Sequence, residues 1–232
     1  MKALLLRVGI DKGTDGVLAP IFSDGSFEFI PISENGHSIE KRTYQNTIGR
    51  KGRPFSDYLP VNIWNKVMHY DPEFETCTYG DPTIKRKYLL KLQKGDILVF
   101  YAGLTPYNNG IHPEALYIIG YFMIDKVIDF NHLNNKEKAE CFHLYNNNAH
   151  MKRGQDTEDL VIVIGDKRKS KLLNRAILIS EKKTDKAGKH YHAVSAKISD
   201  LLGISGSIQR SIPPRSIAAE SNLDNLKNIL GI

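Results

Sequence analysis

Two apolar runs set the strongest limit on what this chain can become. Ile97-Leu98-Val99-Phe100-Tyr101 follows the sharp turn signal Lys94-Gly95-Asp96, and residues 115–127 follow a loop rich in Gly, Pro and Asn. Both runs are β-branched and aromatic without the alternation of a half-exposed strand, the pattern of strands covered on both faces. They belong inside a sheet, and Gly120 in the second marks a bulge or a close backbone contact. The expected architecture is α+β, a mixed or antiparallel β-sheet or partly open barrel with a few peripheral helices.

Around this pair the chain reads as a buried first strand at 2–8 and further strands at 160–165 and 176–180. Strands at 17–22 and 27–32 form an expected hairpin, because Asp24-Gly25 between them supplies the positive φ of tight turns. Helical patterns cover 84–92, 136–145, 195–202 and 222–230, with Asn146-Asn147-Asn148 expected to end the second in left-handed backbone. Residues 33–79 carry charge and aromatics without a period, and long irregular stretches in compact domains tend to be functional. With no internal repeat or long linker in 232 residues, one domain spanning 1–232 is expected.

Composition removes several classes. Cys77 and Cys141 lie far apart, so no CxxC or zinc knuckle can be written and buried free thiols in a reducing cytoplasm are expected. The N-terminus is apolar for only four residues before Arg7, too short for a signal-peptide core or a membrane span, so a cytoplasmic protein off the membrane is expected. GxxxxGK[ST], GxGxxG and GxSxG are missing, so P-loop, Rossmann and serine-hydrolase readings fail. The 32 Lys+Arg against 26 Asp+Glu leave +6, a modest excess that favours a polyanion. Basic side chains gather at Lys41-Arg42, Arg50-Lys51-Gly52-Arg53, Lys85-Arg86-Lys87 and Lys167 to Lys171.

Three constellations could carry function. In His69-Tyr70-Asp71-Pro72 the i, i+2 spacing points both polar side chains to one face of an extended segment, where they could act as a general base and its orienter. The competing reading is a turn in which Asp71 accepts backbone N–H bonds. His150 follows Asn148 in a polar loop. Together with His69 and Asp71 it would complete a metal triad, but no HxH or HExxH spacing enforces one, so no metal is assigned and no cofactor named. Arg7 at a strand end, with Asp11 and Asp24 in nearby loops, is placed to grip a phosphate through its planar donor fork. A plain Arg7–Asp11 or Arg7–Asp24 salt bridge is the alternative. Last, Tyr44, Phe55 and Tyr58 flank Arg50, Lys51 and Arg53, stacking faces beside phosphate-binding charge. His190-Tyr191-His192, among lysines, suits an exposed hairpin tip.

Several segments in order resemble the third of the nucleotide modification associated domain families, found in phage and microbial DNA-modification contexts. They are Arg7-x-Gly9-x-Asp11, Ala19-Pro20-Ile21-Phe22, Asp24-Gly25 and Pro31-Ile32, then His69-x-Asp71-Pro72 and Tyr79-Gly80-Asp81. Leu92-x-x-Gly95-Asp96 with the strand to Tyr101, Ile119-Gly120-Tyr121-Phe122, Asn148-Ala149-His150 and Leu160-Val161-Ile162-Val163 complete the set. One departure is Ala102-Gly103-Leu104, where the family carries a bulky aromatic tract, so a substrate-facing wall is not carried over. The resemblance implies a role in making or handling modified nucleotides in DNA without specifying a reaction. It implies a nucleotide or DNA as partner, with His69, Asp71 and His150 at the reacting group. Arg7, Asp11, Asp24, Arg50, Lys51, Arg53, Tyr58 and Tyr101 would bind nucleotide or phosphate. A second resemblance, of the strand to Tyr101 and Ile118–Phe122 to PUA/EVE-like barrels, implies instead a non-catalytic reader of a modified base. A third class is an accessory protein that docks a modification enzyme. An enzyme should gather histidines and carboxylates in one concave pocket, a reader should show an aromatic slot, and a docking protein an exposed apolar patch.

Overall fold

The two apolar runs pair with each other. In the computed structural model, which describes residues 1–154, 158–210 and 212–232, the chain forms β1 (Ala3–Arg7), β2 (Ala19–Ile21), β3 (Ile32–Ser33), β4 (Met68–His69), β5 (Thr78–Asp81) and α1 (Arg86–Leu89). The long strands β6 (Ile97–Pro106) and β7 (Ala115–Asp129) follow, then α2 (Asn135–Leu144), α3 (Ala149–Arg153), β8 (Val161–Gly165) and β9 (Lys171–Leu178). A ribbon of β10 (Ser180–Thr184) and β11 (His190–Val194), then α4 (Ala196–Leu202), β12 (Arg215–Ile217) and α5 (Glu220–Leu230), complete it.

β6 pairs antiparallel with β7, from Ile97 opposite Met123 to Leu104 opposite Ala115. On its other side β1 runs parallel, from Ala3 opposite Ile97 to Arg7 opposite Tyr101. The sheet order is β12-β1-β6-β7-β8-β5, with β2 against the end of β6 and β9 along β7. Residues 97–104 and 115–122 are buried throughout, which is why these runs carry no alternation. The sheet is mixed and open with peripheral helices, the α+β arrangement expected. Cys77 and Cys141 are buried free thiols, and no helix among the described residues is long and apolar enough to cross a membrane.

Gly120 has the close contact its position suggested. A Cβ there would lie 2.7 Å from the Phe74 ring and 2.8 Å from the Lys171 carbonyl. Phe74 also packs edge-on against Phe29, Phe100 and Phe122, at 5.3–5.7 Å between centroids. Gly120→Ala therefore overpacks this aromatic cluster and should cost about 1–3 kcal/mol. At roughly 2–4 °C per kcal/mol for a chain of this size, differential scanning calorimetry should show the loss; an unchanged midpoint would contradict the packing described.

Three expectations are corrected. The turn at Asp24-Gly25 forms, with Gly25 at φ +81°, but only Ile21 and Phe27 bridge across it. The flanking segments go elsewhere, β2 to Leu104–Pro106 and β3 to β4, so tertiary pairing overrides the local hairpin. Asn146, Asn147 and Asn148 hold no left-handed backbone; α2 ends at Leu144 and Asn148 instead caps the start of α3. Tyr44 and Phe55 are core side chains and offer no stacking face.

Candidate functional site

The β3–β4 ribbon places Ile32 opposite His69, which ends β4 with its imidazole buried. Its Nδ1 lies 2.8 Å from Glu34 Oε2. Glu34 is fixed in turn by Arg153, through Nη2 at 2.7 Å and Nε at 3.1 Å, and by the Gly36 N–H at 2.8 Å. Burial raises the Glu34 carboxyl, but the bonds from His69 and Arg153 win and hold it well below the usual carboxylate range. A carboxylate only accepts, so Nδ1 of His69 donates in this contact.

Asp71, two residues on, accepts the Gly80 N–H at 2.8 Å through Oδ1 and sets Oδ2 3.6 Å from His150 Nε2. His150 comes from α3, whose N-cap Asn148 accepts the His150 N–H at 2.9 Å and donates to Thr78 Oγ1 at 3.2 Å. The His69 and His150 rings stand edge-to-face, 4.8 Å between centroids. Gly80 makes the approach of α3 possible, since a Cβ there would lie 2.4 Å from His150 Cδ2. Glycine is the one residue β5 can present at this contact.

Glu40 adds a second clamp on α3, bonding Lys152 at 2.7 Å and Arg42 at 2.7–3.0 Å. Burial opposes its ionisation, yet these cations draw its carboxyl down to about 2 from 4.5. A lowered folded pKa gives stability that is complete above the unfolded value and is lost as pH falls through the folded one. Thermal midpoints should thus fall as pH drops from about 4.5 toward 2, and Glu40→Gln should flatten part of that fall. An identical acid profile in the variant would remove the clamp from this account.

At the end of β1, Arg7 is 13% exposed and lies 3.7 Å from Asp11 Oδ2. Arg210 Nε bonds the same oxygen, and its Nη2 bonds the Gly9 carbonyl. Two guanidinium groups thus share one carboxylate, and among the described residues Arg7 Nε is buried with no hydrogen-bond partner. Burial pulls the Arg7 pKa down, with the Arg210 charge adding to it against Asp11. Asp11 behaves oppositely. Burial would raise it, but Arg210, Arg7 and the Gly13 N–H keep it below the ordinary value. Tyr101, paired with Arg7 across the strands, is pushed up to about 12 by burial and donates to the Ile208 carbonyl at 3.1 Å.

A cavity of about 230 Å³ joins these groups, lined by His69, Asp71 and His150 and also by Arg7 and Arg210. Arg7 and Arg210 also line a cleft of about 600 Å³, together with Lys12, Thr14, His192 and Gln209. His192, on β11, has its pKa lowered by burial first and by Arg7 second. The other sequence candidates gather elsewhere and line neither space. Asp24 bonds Ser26 and Lys51, Arg50 donates to the Leu173 carbonyl at 2.8 Å, and Arg53 reaches the Tyr107 hydroxyl at 3.4 Å. Tyr58 packs edge-on to Phe22 and Tyr107.

Sequence reasoning did not single out Glu34, Arg153 or Arg210. The one usable signal was Arg210 itself, the charge that ends the uncharged stretch Gly203-Ile204-Ser205-Gly206-Ser207-Ile208-Gln209. A family model described as nucleotide modification associated domain 3 matches residues 2–200. That span contains Arg7, Asp11, His69, Asp71 and His150 and stops short of Arg210. No curated protein and no solved structure matches the chain.

Proposed function

The chain belongs to the nucleotide modification associated domain 3 family, and on that premise we propose that it binds a nucleotide between Arg7, Arg210 and the His69/Asp71/His150 wall. The phosphate sits on the two guanidinium groups and the base enters the smaller cavity. The observation that carries this reading is the Nε of Arg7, buried and without a hydrogen-bond partner among the described residues, beside a second arginine that shares the Asp11 carboxylate. Buried donors are rarely left unpaired, and a phosphate oxygen supplies both the missing acceptor and the missing charge. The other cations of the cavity are already matched, Arg153 by Glu34 and Lys85 by Asp81.

The cavity of about 230 Å³ is below the roughly 300–1,000 Å³ of drug-sized ligand pockets, and suits a base rather than a whole nucleotide. A base drawn out of a strand would enter it while the backbone follows the larger cleft past Lys12. Histidines and carboxylates concentrated on one concave wall favour chemistry at the base over an aromatic-lined reader's slot.

Isothermal titration with a nucleoside and its 5′-monophosphate tests the reading. The monophosphate should bind at least about tenfold more tightly, about 1.4 kcal/mol; equal affinities would overturn it. A single-stranded oligonucleotide adds a test of the basic loops. If Arg50, Lys51, Arg53 and Lys167 to Lys171 touch further phosphates, its log–log salt slope should exceed the mononucleotide's by roughly 0.7 for each. Equal slopes would confine contact to the cavity.

A further inference from the structure

Resting on that reading of the cavity, we propose that His69, Asp71 and His150 hold a divalent first-row transition-metal ion. One ligand atom from each lies within 4.8 Å of the others, with His150 Nε2 and Asp71 Oδ2 at 3.6 Å. Metal–nitrogen bonds of about 2.0–2.1 Å put neighbouring ligand atoms roughly 3 Å apart, so loading draws the group together by about 1 Å. The imidazole and carboxylate torsions supply that movement.

The surrounding bonds match what a metal-binding histidine and carboxylate need. Ligating imidazoles donate their other N–H to a carboxylate, which fixes the ring and leaves one nitrogen for the ion. The Glu34–His69 contact at 2.8 Å does this, with Glu34 braced by Arg153. On Asp71, the Gly80 N–H occupies Oδ1 and leaves Oδ2 on the side of His150. Asn148 holds the start of the helix that carries His150. A purely structural His–Asp pair would not call for a second histidine fixed by its own carboxylate at ring-contact distance.

Two imidazoles and one carboxylate select iron(II), manganese(II), cobalt(II) or zinc(II) over magnesium or calcium, which favour all-oxygen sets. Three protein ligands leave further coordination positions open. All three residues line the cavity of about 230 Å³, so the uncovered side of the ion faces the space assigned to the base.

The test is titration of the chelator-treated full chain with CoCl₂, followed by visible d–d absorption and calorimetry. The expected result is one cobalt per chain, with d–d bands that report nitrogen and oxygen ligation. Excess MgCl₂ should not displace it. His150→Ala should weaken binding at least about 100-fold, and Glu34→Gln, which leaves all three ligands in place, by about 10–100-fold. Absence of stoichiometric cobalt binding to the unaltered chain, or binding unchanged in both variants, would overturn the proposal. Arg7→Met separates this from the nucleotide reading: it should lose nucleotide and keep cobalt. Cobalt binding without any nucleotide binding would leave the metal centre standing and remove the nucleotide proposal.

Discussion

Arg7→Met and Arg210→Met should each weaken binding of a nucleoside 5′-monophosphate by at least about 30-fold, about 2 kcal/mol and the low end of what truncating one partner of a buried charge contact costs. Methionine fills the alkyl volume of arginine, so the change removes the donor fork and little packing. Asp11 keeps the other arginine and the Gly13 and Thr14 N–H bonds at 2.8 and 3.0 Å, so no carboxylate is stranded. The melting midpoint should move by only a few degrees, at roughly 2–4 °C per kcal/mol. Arg53→Met, in the separate basic loop, serves as the control and should leave mononucleotide affinity unchanged. If Arg53→Met costs as much as Arg7→Met, the phosphate lies at the loop and not in the cavity.

Gly80→Ala should be the most damaging single-methyl change at the site. The added carbon would meet His150 Cδ2 at 2.4 Å and Ile162 Cδ1 at 2.9 Å. Ile162 is held opposite Gly80 in the β5–β8 ladder, so the His150 imidazole must give way. Overpacking of this kind costs about 1–3 kcal/mol, and a displacement near 1 Å can cost about 100-fold in a positioned group's contribution. The expected result is a folded protein with a lowered midpoint, cobalt affinity reduced as in His150→Ala, and mononucleotide affinity less affected than in Arg7→Met. A variant with unchanged midpoint and unchanged cobalt binding would show that α3 does not rest on Gly80.

What the sequence disclosed follows from the range over which each contact acts. The β6–β7 pair was legible because a strand covered on both faces writes its burial into consecutive residues, and Gly120 betrayed the Phe74 contact by interrupting such a run. His69 and Asp71 line one cavity, but through a tight turn in which the Asp71 N–H bonds the His69 carbonyl at 2.9 Å and its carboxylate accepts the Gly80 N–H, the turn alternative and not the extended segment. The hairpin at residues 17–32 misled because the turn chemistry of Asp24-Gly25 is local, whereas the pairing of β2 with Leu104–Pro106 has no local trace. Asn148 was legible as a helix-boundary residue, but its type suits both a left-handed stop and an N-cap, and here the cap wins. Glu34 and Arg153 meet across 119 residues, and Arg210 and Asp11 across 199. Nothing in the neighbourhood of any of these marks its partner, so the bracing of His69 and the second guanidinium emerge only from the fold.

On the proposed reading, Arg7 and Arg210 hold the phosphate and His69 and His150 face the base, all around one cavity. A crystal structure of the full chain with a bound nucleoside 5′-monophosphate tests it most directly. The expected result is a phosphate oxygen within hydrogen-bond distance of Arg7 Nε, Arg210 on a second oxygen, and the base edge facing His69 and His150. A nucleotide whose phosphate lies against Arg50 to Arg53, with the cavity between Arg7 and His150 left to solvent, would contradict it.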